Sequence, residues 1–212
     1  MCGIYLTNFD LPKEQVLDKI KKIQFRGPDN LGYKKIDNIT LAHLRLSIID
    51  TNIRSNQPFS FNGLHITYNG EIYNYKIIRN ELEEKGYLFK TLSDTEVLLK
   101  GFDYWKKDVL TKINGMFSFA IYDSKTQTIF SARDRLGVKP FYYFFSNGNL
   151  EISSQISPLK NHNLSVDKNS IIAYLRTGYI PSPLSIYSEI KKLPPGSSMT
   201  LDLKTNRIYI EK

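Results

Sequence analysis

Chemistry in this chain can begin at its second residue. Cys2 is the only cysteine among 212 residues, and it directly follows the initiator methionine. Removal of Met1 would leave a thiol and a free α-amine on one residue. Their ordinary pKa values are about 8.5 and about 7.7–8.0. Near neutral pH such an amine is partly unprotonated and can take the thiol's proton, directly or through one water. A nucleophile activated by its own terminal amine is an established form of covalent catalysis. The competing reading of Cys2 alone is a small apolar residue that fills a gap in the core.

Five further segments carry residue types suited to a site, and each is tied to an element that would place it. Arg26-Gly27-Pro28-Asp29 follows a helix over Lys13–Gln24, whose apolar face is Val16, Leu17, Ile20 and Ile23. His43-Leu44-Arg45-Leu46-Ser47-Ile48-Ile49-Asp50 reads as strand, in two runs at Ile39–Ala42 and Leu46–Ile49. Asn69-Gly70-Glu71-Ile72-Tyr73-Asn74 ends a strand begun at Leu64 and leads into a helix over Tyr75–Lys85; taken alone, Asn69-Gly70 is a hairpin turn. Ser93-Asp94-Thr95-Glu96 is a capping box that opens a helix through Trp105. Arg133-Asp134-Arg135-Leu136-Gly137-Val138-Lys139-Pro140 joins two strands. Other strands are expected at Cys2–Asn8, Met116–Tyr122, Thr128–Ala132, Pro140–Phe145, Leu150–Ser154, Ser197–Leu201 and Ile208–Ile210. A last helix over Asp167–Thr177 carries Ile171, Ile172, Tyr174 and Leu175, with Gly178 to stop it. Strand-rich blocks joined by turn clusters and flanked by helices describe a layered α+β domain.

These segments, taken in order with Met1-Cys2-Gly3-Ile4, Gln57-Pro58 and Gly115-Met116-Phe117, resemble the glutaminase domain of class II glutamine amidotransferases. The likeness is strongest to the amino-terminal half of glutamine-dependent asparagine synthetases, and runs from Cys2 past Leu193-Pro194-Pro195-Gly196. It implies an N-terminal-nucleophile hydrolase fold, four αββα layers with two packed antiparallel sheets. One domain spanning 2–212 is expected, with about 160–212 a looser segment leading toward a synthetase domain. The family usually has His where Phe25 stands, which bears on loop packing and removes no assigned catalytic group.

The resemblance also assigns roles. Cys2 becomes the nucleophile, and Asn69 with Gly70 the oxyanion site, where a side-chain amide and an unobstructed backbone N–H converge. Arg45 offers a planar fork to the α-carboxylate of L-glutamine, although a surface ion pair is the commoner fate of arginine. Asp94 accepts from the α-ammonium and also complements a helix N-terminus. Backbone groups of Arg45, Leu46, Ser47, Ile48 and Ile49, and of Glu71, line the glutamine site. Arg26 orients the loop beside the nucleophile. The rival scheme is a Cys–His pair; against it, His43 lies on an apolar strand, His65 on a strand without a supporting motif and His162 in a loop.

No cofactor is expected in this domain. ATP and Mg are expected only on a synthetase domain with a Ser-Gly-Gly-x-Asp-Ser loop, which does not occur before Lys212. That domain would act in cis or in trans, and the family allows a homodimer. A non-aspartate acceptor, such as a sugar or peptide carboxylate, remains open. So do a catalytically silent domain and a peptide-processing cysteine hydrolase, though Arg45 with Asp94 suits the two charges of a free amino acid.

Composition narrows the field further. The 41% hydrophobic content supports a packed core. No stretch approaches the ~20 apolar residues of a membrane span. The start lacks a basic n-region and a long apolar run, so it is not a signal peptide. A single cysteine fits a reducing cytoplasm. The net charge of +8 is dispersed and lacks any nucleic-acid motif, so it reads as a solvated lysine surface. One cysteine and three scattered histidines give no metal spacing.

Overall fold

The computed structural model describes residues 1–212. Its strands are β1 (Gly3–Thr7), β2 (Asn30–Ile36), β3 (Ile39–Arg45), β4 (Phe59–Phe61), β5 (Leu64–Ile72), β6 (Gly115–Asp123), β7 (Thr128–Arg133), β8 (Tyr142–Ser146), β9 (Asn149–Ser153), β10 (Ile190–Lys192), β11 (Ser198–Asp202) and β12 (Arg207–Glu211). The helices are α1 (Lys13–Lys21), α2 (Tyr75–Glu84), α3 (Asp94–Trp105), α4 (Val109–Lys112) and α5 (Lys168–Thr177). Two antiparallel sheets result, ordered β10-β8-β9-β1-β3-β2 and β12-β11-β7-β6-β5-β4.

Alternation along β1 decides the layering. Ile4 and Leu6 face the second sheet, where they join Ala120, Tyr122 and Ile129 in one buried cluster. Tyr5 faces the other way and packs with Val16, Ile20 and Ile23 of the α1 region. Ile66, Tyr68, Phe117 and Phe119 of the second sheet pack against Leu82, Val97, Leu98 and Phe102 from α2 and α3. Helix, sheet, sheet and helices therefore stack as four αββα layers, each sheet covered on both faces. Polar links cross between the sheets: Thr67 Oγ1 donates to Ala42 O at 3.1 Å and His43 Nε2 meets Tyr68 O at 3.0 Å.

Strand β1 is also anchored on its helix-facing side. Glu151 on β9 is fully buried and accepts from Lys19 at 2.8 Å, from His162 and from the Tyr5 hydroxyl. The three donors hold the Glu151 carboxyl below the usual range against the opposing effect of burial. α1, β1, β9 and the His162 loop thus meet on one carboxylate.

Three local expectations are corrected. Leu46–Ile49 is loop, because its polar backbone groups are taken by side chains rather than by a neighbouring strand. Leu46 N–H points at Cys2 Sγ (3.4 Å), Ser47 N–H donates to Asp29 Oδ2 (2.7 Å), and Ile49 O accepts from Arg45 (3.4 Å). Asn69-Gly70 is strand interior, paired across from Ser118 and Phe117, and not a turn. The capping box at α3 forms only in half. Ser93 Oγ accepts from Thr95 N–H at 3.1 Å, but Glu96 turns to the Lys90 and Thr91 amides and to Lys100. The last helix forms where expected, with Asp167 as its N-cap and Gly178 left-handed behind it. Its apolar face is open, however: Ile172, Tyr174 and Leu175 are all exposed and only Ser170 is buried. No helix is long and apolar enough to cross a membrane.

Candidate active site

One end of the sandwich brings together the start of β1, the end of β3, the last third of β5 and the first residue of α3. Between them lies a cavity of about 290 Å3. Cys2, Arg45, Leu46, Ile48, Ile49, Asn69, Gly70, Glu71 and Asp94 all line it. Of the residues expected there, Ser47 and Arg26 are not in the wall. Ser47 is held by Asp29 through its amide, and Arg26, buried, donates from Nε to Cys2 O at 2.9 Å. Arg26 thereby fixes the backbone of Cys2 rather than its sulfur. Met1 lies in the wall beside Cys2, its sulfur 3.9 Å from Arg26 Nη2.

Two opposed shifts meet at the start of the chain. Burial pushes the Cys2 thiol up, against the Leu46 amide, the terminal amine and Arg45, which pull it down. Burial lowers the terminal amine, here that of Met1, and the nearby Arg26 and Lys139 lower it further, opposed by Cys2. The two shifts run in opposite directions from one leading cause, burial of the start of the chain.

Arg45 departs from the simple picture of a free fork. Its Nη1 donates to Asn52 O (3.0 Å) and Asn56 Oδ1 (2.7 Å), and its Nη2 to the carbonyls of Ile49 and Asp50. The guanidinium thus ties down the Ile49–Asn56 loop while forming part of the cavity wall. Asp94 is 4% exposed, and its Oδ2 accepts from the Tyr68 hydroxyl (2.7 Å) and from Ile72 N–H (3.0 Å). Burial raises its pKa despite these two bonds. A buried carboxylate of this kind gains from a cation brought into the cavity.

Asn69 is 1% exposed, and its Nδ2 has no hydrogen-bond partner. Buried amides are nearly always satisfied, so an orphaned donor in a cavity wall marks a place for an acceptor. The strand that carries it is clamped. β4 pairs with β5 only as far as Ile66, and beyond it the Gln57 side chain takes the place of a neighbouring strand. Gln57 Oε1 accepts from Tyr68 N–H (2.7 Å) and its Nε2 donates to Tyr68 O (3.1 Å). Gly70 is required by approach rather than by φ. A Cβ there would sit 2.3 Å from Met116 O and 2.7 Å from Phe117 Cα. Gly115, which pairs with Ile72 on the same ladder, is equally tight, with a Cβ 2.1 Å from Glu71 O.

The Cys–His alternative finds no support in the geometry. His43 is fully buried, lies outside the cavity wall and donates its Nε2 proton to a carbonyl, which leaves Nδ1 without a partner. Burial lowers its pKa to about 3. His65 bonds to Ser60 and His162 to Glu151.

The wall also holds residues to which the sequence reading gave no role, chiefly Gln57, Tyr68, Thr95, Met116 and Lys139. Gln57, Met116 and Lys139 stand inside the quoted motifs, so the signal was present. What the spacing could not convey is which member of each motif turns inward.

A family profile described as "Glutamine amidotransferase domain" matches residues 1–210. The chain is 35% identical over 212 residues to asparagine synthetase [glutamine-hydrolyzing] 1 of Bacillus subtilis, covering 95% of this chain and 33% of that protein. It is 36% identical to putative asparagine synthetase [glutamine-hydrolyzing] 2 of Methanocaldococcus jannaschii, covering 98% and 45% respectively. It thus spans a third to under half the length of these relatives. Among solved structures, a glutamine phosphoribosylpyrophosphate amidotransferase from B. subtilis superposes with a TM-score of 0.72 over 100% of this chain and 49% of that one, at 17% identity. That likeness speaks for the fold, and the profile match with the sequence relatives speaks for the lineage. The chain belongs to the glutamine amidotransferase domain family.

Proposed function

We propose that this domain hydrolyses L-glutamine to L-glutamate and ammonia, and that the ammonia serves an ATP-dependent domain of asparagine synthetase type. The observation that carries the reading is the cavity shared by Cys2, the unpartnered Asn69 amide and the buried Asp94 carboxylate. After loss of Met1, the Cys2 amine accepts the thiol proton and Sγ bonds to the side-chain amide carbon of glutamine. The oxyanion is met by Asn69 Nδ2 and the backbone N–H of Gly70. The protonated amine then delivers its proton to the departing nitrogen, which leaves as ammonia. Water, deprotonated by the same amine, cleaves the γ-glutamyl thioester and regenerates the thiol. Asp94 receives the α-ammonium. The α-carboxylate lies toward Arg45, whose bonds to its own loop also keep that wall in place.

Relatives two to three times as long support a synthetase domain acting on this ammonia, and aspartate is the acceptor their names imply. The decisive experiment is ammonia release from glutamine by chain whose N-terminus has been read by mass spectrometry. Chain starting at Cys2 is expected to be active, and Cys2→Ala inactive. Chain with a permanent N-terminal extension is expected to be folded and inactive. Full activity with the extension in place would remove the amine from the mechanism.

A further inference from the structure

The mechanism leaves one buried ion unused. Lys139 is 5% exposed and lines the same cavity as Cys2. Its Nζ has no hydrogen bond and no carboxylate within ion-pair distance. Its backbone, by contrast, is fixed on both sides: Lys139 N–H donates to Asp134 Oδ2 (2.9 Å) and its carbonyl accepts from Arg133 Nε (2.7 Å). Asp134 is itself buried and also accepts from Val138 N–H (2.8 Å) and Phe117 N–H (3.2 Å), which ties this turn to β6. A rigid turn thus sets Lys139 in the wall of the cavity that also holds Met1, Cys2 and Glu71.

The other charged groups facing the nucleophile are already committed. Arg26 holds Cys2 O, Arg45 holds its own loop, and Asp94 Oδ2 is taken by Tyr68 and Ile72. Asp29, whose carboxylate holds the Ser47 amide, and Glu71 supply the nearby negative charge. Lys139 is the one cation here without a bonded partner. We propose that Lys139 is a positioning residue for proton transfer, its charge keeping the Cys2 amine neutral and drawing the thiol toward thiolate. Burial lowers the Lys139 pKa, opposed first by Glu71 and then by Cys2, and Lys139 in turn lowers the terminal amine.

This assignment rests on the glutaminase reading for its purpose but not for its test. In chain beginning at Cys2, alkylation by neutral iodoacetamide follows the thiolate and needs no glutamine. Replacing Lys139 with an uncharged side chain of similar length should move the alkylation midpoint up by about one pH unit, a tenfold loss of thiolate below it. Lys139→Met and Lys139→Gln should both show this, and Lys139→Arg should restore it. The acid limb of kcat/KM for glutamine should move upward with it. In unaltered protein, 15N-lysine NMR should show the Lys139 titration fall once Cys2 is alkylated, because the negative sulfur is gone. Unmoved alkylation midpoints in folded variants overturn the proposal. If neither variant folds, a Lys139 titration indifferent to Cys2 alkylation overturns it. A shifted alkylation midpoint without any glutaminase activity would leave this assignment standing and refute the glutaminase reading instead.

Discussion

Asn69→Ala separates the oxyanion role from a structural one, because the two predict opposite effects on stability. The Asn69 Nδ2 is buried and unpaired in the folded chain. An unsatisfied buried donor costs roughly 1–3 kcal/mol. Alanine removes that donor at the cost of a small loss of packing, so stability should hold or rise. For a domain of this size 1 kcal/mol corresponds to about 2–4 °C in Tm, so the expected change runs from nil to a rise of several degrees. Activity should move the other way. Loss of one oxyanion donor costs about 10²–10³-fold in kcat, or roughly 2.7–4 kcal/mol. KM should change less, since the donor acts on charge that develops after binding. The assay pairs steady-state ammonia release with calorimetry on the same preparation, N-terminus verified. Asn69→Asp serves as the second variant and should be at least as inactive, since it sets negative charge beside the oxyanion. Wild-type kcat in either variant refutes the role. A fall in Tm of several degrees in Asn69→Ala would show that the amide holds the fold and that the argument from its missing partner is wrong.

Arg45→Ala should raise KM for glutamine strongly, by the roughly 1.5–3 kcal/mol of a charged hydrogen bond, and should also speed amide exchange over residues 49–56; Arg45→Lys should recover part of each. Unchanged exchange in Arg45→Ala would contradict the loop contacts. His43 should govern acid stability. Its folded pKa of about 3 lies below the ordinary 6.5, so its contribution is complete above pH 6.5 and is lost as pH falls toward 3. The full loss is about 5 kcal/mol at roughly 1.36 kcal/mol per unit. His43→Gln, which can still donate to Tyr68 O, should flatten chemical-denaturation stability between pH 6.5 and 3; parallel curves for the two proteins would refute this. Asp94→Asn should stabilise the fold near neutral pH, since burial disfavours the charged form, while raising KM for glutamine; a destabilised variant would count against a carboxylate kept for a ligand.

Much of the fold was legible because its strands alternate or stay apolar over four or more residues, as in β1, β6 and β7. β2 escaped notice because Gly32, Lys34 and Lys35 interrupt its pattern on a sheet edge. β4 and β10 span three residues each, too short for any period to register. Leu46–Ile49 misled in the other direction. Its apolar residues imitate a strand, whereas Asp29, Arg45 and Cys2 bind its backbone from elsewhere in the chain. At the candidate site, Cys2, Arg45 and Asp94 announce themselves by type. The commitments of Arg45 to its own loop and of Gln57 to Tyr68 do not, since each depends on where a backbone group ends up in space.

The close backbone approaches at Gly70 and at Gly115 bear on how such a site can diverge. Its floor is main chain lying directly on main chain, with Met116 O and Glu71 O occupying the space a Cβ would need. Such a surface has almost no side-chain alphabet to vary. The loop over residues 46–56 and the turn over residues 134–139 are the opposite, walls whose composition can drift without parting the strands. Descendants of this domain are therefore free to adjust access, closure and local charge from the rim, while the main-chain floor of the cavity stays fixed.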